Sequence, residues 1–101
     1  MISQEEYIRR VMQRTAILVI QNLLRTREYS AKFLTRPDSK TIDRTVEKMS
    51  IEVVDEFIKV LKSRGYLGSG KMANEEEFQA LFETTVKGYL ERLGSNNNNS
   101  K

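Results

Sequence analysis

An all-α fold, a small bundle of about four helices with a long N-terminal helix, is predicted by three features of this sequence. Apolar residues recur at spacings of three and four through most of the chain, no segment alternates with period two, and polar capping residues precede the periodic runs. At 101 residues the chain has the length of one domain, assigned here to 1–94. Its apolar fraction of 39% lies below the roughly 45–50% of ordinary domains, a range that also counts glycine. One core is therefore feasible with little surplus, and burial against a second copy would help such a domain.

Ser3 and Glu6 have the spacing of a capping box, in which the hydroxyl and the carboxylate satisfy free N–H groups at a helix start. The first helix is predicted over 4–28, and no strong breaker stands before Leu34. Pro37 forbids further continuation, and 35–40 reads as a turn. Helical spacing gives this element one broad apolar face from Ile8, Val11, Met12, Thr15, Ala16, Val19 and Leu23. Ile17, Ile20 and Leu24 then form a second stripe. A surface helix needs one apolar face, so two faces ask for two partners. The expectation is a homodimer or higher symmetric oligomer built on Ile17, Ile20 and Leu24, with Gln13, Gln21, Arg10 and Arg14 at its rim.

Further along, Ile42, Val46 and Met49 mark a short helix over 41–49, and Ser50 reads as the N-cap of another over 51–64. Glu52, Asp55 and Glu56 near its start and Lys62 and Arg64 near its end complement the helix dipole, and Gly65 suits a left-handed C-terminal cap. Ile51, Val54, Phe57, Ile58 and Leu61 form its expected buried face. A single helix over 41–64 that absorbs Ser50 is the alternative that propensity leaves open. After a connector over 65–70, Asn74 and Glu75 to Glu77 announce a helix over 75–93, striped by Phe78, Leu81, Phe82, Thr85, Val86, Tyr89 and Leu93 and closed by Gly94. Residues 95–101, apolar-free and Asn-rich, are expected to be disordered. The interior is assigned to Ile8, Val19, Phe57, Leu61, Phe78, Phe82 and Tyr89.

Little in this composition supports catalysis. Histidine and cysteine are absent, which removes the commonest general base and metal ligand and all thiolate chemistry. Glu75 to Glu77 are consecutive on a helix and point in different directions, so they serve the dipole and not a cation. Gly68-Ser69-Gly70-Lys71 lacks the spacing and leading strand of a phosphate loop and reads as linker. No catalytic residue, cofactor or metal site is expected. No apolar run approaches the roughly 18 residues of a membrane span, and the N-terminus has no basic, cleavable leader, which predicts a cytoplasmic chain.

Charge is unevenly placed. Residues 9–44 carry nine basic against three acidic residues, a local +6, whereas 47–101 carry eight against nine, a local −1. Two functional expectations follow. The first is a non-enzymatic protein-interaction module (an adaptor, inhibitor or assembly factor) that acts as a homo-oligomer. The alternative is a nucleic-acid-binding helical dimer using Arg9, Arg10, Arg14, Arg25 and Arg27, although Tyr29 and Phe33 alone offer base stacking in that stretch.

Overall fold

The computed structural model describes residues 2–34, 38–67 and 73–99, and within them the chain forms four helices and no strand. These are α1 (Gln4–Leu24), α2 (Arg27–Phe33), α3 (Ser39–Ser63) and α4 (Glu75–Asn99). The all-α bundle expected from the periodicity is the observed architecture. The centres of the turns expected at 35–40 and 65–70 fall on residues 35–37 and 68–72, outside the described residues, as do Ser100 and Lys101.

Capping follows local chemistry closely. Ser3 Oγ accepts the Glu6 N–H at 3.1 Å, and Asn74 Oδ1 accepts the Glu77 N–H at 2.8 Å, so both helix starts lie where the sequence puts them. Asp38 caps α3 by accepting the Thr41 N–H at 2.8 Å. Gly65, with φ of +77°, closes α3 in a Schellman motif. Tyr66 N–H donates to Leu61 C=O at 2.9 Å, and Gly65 N–H to Lys62 C=O at 3.0 Å.

Three boundaries differ from the sequence expectation. The first helix stops at Leu24 and not at 28, because Thr26 accepts the Tyr29 N–H at 3.4 Å and starts α2. That break turns Tyr29 and Phe33 back onto the core, their rings stacked 5.9 Å apart. The two helices expected at 41–49 and 51–64 are one. Ser50 is fully buried, and its hydroxyl donates to Val46 C=O at 2.6 Å, which satisfies it inside the helix and leaves it no capping role. Finally, α4 runs through Gly94 to Asn99, where a helix end at 93 was expected. Gly94 sits against the Lys32 side chain and the Phe33 ring, so it marks where α2 crosses α4.

α3 is the central helix. It runs antiparallel to α1, since Glu5 meets Lys62 at 2.7 Å while Arg9 meets Asp55. It also runs antiparallel to α4, since Phe57 packs on Phe82 and Glu52 accepts the Tyr89 hydroxyl. α1 and α4 are therefore parallel to each other. Phe57 sits at the hub in edge-to-face contact with Phe78 and Phe82 at 5.1 and 5.2 Å, a geometry worth about 0.5–1.5 kcal/mol per pair beyond area burial. Of the seven residues assigned to the interior, Phe57, Leu61, Phe82 and Tyr89 are buried, and Ile8, Val19 and Phe78 pack half-buried against the core. Ile51, expected inside, is 45% exposed.

Candidate interaction surface

On α1 the buried stripe is Met12, Ala16, Ile20 and Leu24, at strict fourfold spacing, with exposures of 7, 0, 0 and 1%. Ile20 and Leu24, assigned from sequence to an oligomer interface, thus belong to the core of the single chain. α3 packs on α1 along this row and claims it. Of the other expected interface residues, Ile17, Gln13 and Gln21 are half-buried, with Ile17 packed against the core. Conversely, Val11 and Thr15, expected inside, are exposed.

The apolar excess of the first helix is present, but on another face. Tyr7, Val11 and Leu18 are 59, 44 and 61% exposed. At about 100° per residue they fall within about 40° of one another, opposite the Met12 to Leu24 row. Beside this stripe lies a furrow. Among the described residues no α1 Cα comes within 8 Å of an α4 Cα, and side chains alone fill the space between the two helices. Three hollows follow one another along that seam, of about 340, 270 and 230 Å³. Ile8, Met12, Val19 and Leu23 form the α1 wall, with Tyr7 and Val11 at the rim of the first hollow, and Phe78, Phe82 and Val86 form the α4 wall. Met12 and Phe78 line the first two hollows, and Val19, Phe82 and Glu83 line the last two, so the furrow is continuous. Its α4 lip carries Glu75, Gln79 and Glu83, with Lys87 at the far end.

The five arginines assigned to an anionic partner do not form one patch. Arg9 turns toward α3, where hydrogen bonding to Asp55 and the nearby Glu5 raise its pKa and hold it charged within the bundle. Arg10 pairs with Glu6 at 3.2 Å one turn earlier. Arg14 is exposed on the outer side of α1, Arg25 is exposed at its C-terminal cap, and Arg27 opens α2. Lys40, Arg44 and Lys48 add an exposed basic row on α3, but the exposed Asp43 and Glu47 interleave with it. A phosphate-tracking surface needs one sign of charge over a continuous stretch.

Among the described residues no group of three or more Asp and Glu could hold a metal ion, and no helix is long and apolar enough to cross a membrane. Tyr89 has its pKa raised by burial and by its hydrogen bond to Glu52, which keeps it a neutral donor tying α4 to α3. Comparison with known proteins finds no matching family model, no similar curated protein and no similar solved structure.

Proposed function

We propose that this chain is a non-enzymatic helical protein-interaction module that works as a homo-oligomer through the outer face of α1. The observation that carries the reading is the aligned, exposed stripe Tyr7, Val11 and Leu18, continuous with an apolar furrow. Contiguous exposed apolar stripes rimmed by polar residues mark interaction sites. Full burial of one large apolar side chain is worth about 1.5–3 kcal/mol. Three residues near half exposure therefore offer several kcal/mol to a partner. A two-fold contact uses that gain twice, because each copy presents the same patch.

Sedimentation across the micromolar range tests the proposal. The wild-type chain is expected to show reversible self-association, and Leu18→Glu to remain helical by circular dichroism while sedimenting as a monomer. A wild-type chain that stays monomeric at all these concentrations refutes it. The alternative nucleic-acid reading draws support only from the net charge of +3 and the scattered arginines. A low-salt mobility-shift assay on the same sample is expected to show no shift at micromolar protein.

A further inference from the structure

A pair of α1 helices alone makes too small an interface. At 1.5 Å per residue, α1 is about 31 Å long and about 10 Å wide, a projected footprint of about 300 Å². A stable interface buries about 800 Å² per partner. The missing area lies next to the stripe, in the furrow between α1 and α4.

We propose that this furrow is occupied by α1 of a second copy, parallel to the α1 it packs beside. Each copy's Tyr7–Val11–Leu18 stripe then fills the other's furrow. This inference rests on the homo-oligomer reading and names its geometry.

Length is the first support. The stripe from Tyr7 to Leu18 spans about 16 Å, and in a parallel pair it runs level with the first two hollows, which are joined at Met12 and Phe78. Charge is the second. Around α1 the order is furrow wall (Ile8, Met12, Thr15, Val19), then outer stripe, then a flank formed by Arg10 and Arg14. When the stripe of one copy enters the furrow of another, that flank comes over the other copy's α4 lip, where Glu75 and Glu83 stand. Residues near 15 and 19 of α1 share hollows with residues near 79 and 83 of α4. In a parallel arrangement Arg10 therefore lies level with Glu75, and Arg14 lies between Glu75 and Glu83.

Symmetry is the third support. A two-fold axis along the helices places each stripe over the other copy's furrow and each arginine flank over the other's α4. A two-fold perpendicular to the helices that puts α1 in the furrow carries the second α4 onto the first, which sterics forbid. The polar rim of such a contact gives direction and partner choice more than affinity.

The sequence contains no cysteine, so single-cysteine crosslinking is clean. Thr15→Cys is expected to form an oxidised dimer readily, because a two-fold along parallel α1 helices sets the furrow-wall face of one α1, where the exposed Thr15 stands, against the same face of its copy. Arg14→Glu and Glu83→Lys are each expected to weaken self-association about tenfold, and the double variant to recover most of the loss by restoring opposite charges with reversed polarity. Circular dichroism confirms that each variant is folded. A dimer that lacks either the Thr15→Cys crosslink or the charge rescue overturns this geometry and leaves the homo-oligomer reading standing. A wild-type chain that is monomeric throughout overturns both and leaves the furrow to a helix from another protein.

Discussion

Replacing Ile20 and Leu18 by alanine, one at a time, separates core from contact surface on a single helix. Ile20 is 0% exposed and packs in the row that meets α3, whereas Leu18, two residues earlier, is 61% exposed. Truncating a buried Ile to Ala removes transfer free energy and leaves a cavity, a loss of about 2–5 kcal/mol. Domains of this size have about 5–15 kcal/mol of stability in all. Since 1 kcal/mol corresponds to about 4–8 °C in Tm at this length, a central loss of about 3 kcal/mol lowers Tm by about 12–24 °C. For Leu18 about two-fifths of the side chain is covered, so the loss within one chain is below about 1 kcal/mol, and the helix propensity of Ala offsets part of it. Thermal melts followed by circular dichroism at two protein concentrations tell the variants apart. The Ile20→Ala deficit is expected to be large and equal at both. The Leu18→Ala deficit is expected to be small when dilute and to grow with concentration, because only the wild type gains from self-association. An Ile20→Ala chain melting within about 5 °C of wild type, or a Leu18→Ala deficit equal to it when dilute, refutes the assignment of faces.

Two glycines predict opposite signs. Gly94→Ala is expected to stabilise by about 0.5–1 kcal/mol, since the position is helical and an added Cβ meets Lys32 and Phe33 at ordinary contact distances of 3.6–3.7 Å. Gly65→Ala is expected to destabilise by about 1–2 kcal/mol even though its Cβ would meet nothing within 4 Å, because φ is +77°. Urea titrations of the two variants check both. A third expectation concerns acid. Accepting the Thr41 N–H holds the Asp38 carboxyl below its ordinary value. Its stabilisation is therefore complete above the unfolded pKa of about 3.9 and is lost as pH falls through the lower folded value. Asp38→Asn keeps an acceptor but cannot titrate, so the stability difference between wild type and variant is expected to shrink between pH 7 and pH 2. A difference that stays constant over that range refutes the role given to Asp38.

What the sequence made legible was whatever depends on a few neighbouring residues. Ser3, Asn74 and Gly65 end or begin helices where local chemistry says they should, because a cap is formed by groups within about one turn. The hub residues Phe57 and Phe82 were legible because large aromatics on a regular stripe have no alternative to burial. The break at Thr26 and the continuity through Ser50 were not. Thr and Ser offer the same hydroxyl, and both donate to a carbonyl of the preceding turn, Thr26 to Leu23 and Ser50 to Val46. At Ser50 the surrounding core of Met49, Val53 and Val54 holds the helix straight, whereas after Leu24 the chain gains more by turning Tyr29 and Phe33 back onto the bundle.

The first helix shows why a face can be counted correctly and placed wrongly. Its apolar residues cover far more than one face, so an excess was certain from the sequence alone. Which residues are the excess depends on where α3 lies, and periodicity around one helix carries no such information. With Ala16 at its centre, the Met12 to Leu24 row presents the smallest side chain of the helix to α3 and allows the two long helices to meet closely. That choice consumes Ile20 and Leu24. It also turns Ile17 and Gln13 toward the flank of the bundle and leaves Tyr7, Val11 and Leu18 in water. The proposed contact between copies therefore uses these three, and of the expected rim it keeps Arg10, Arg14 and Gln21 on its flank while Gln13 turns away. The consequence is chemical as well as geometric. A glutamine rim is indifferent to the sign of the opposing surface, whereas an arginine rim selects a carboxylate lip such as that of Glu75 and Glu83.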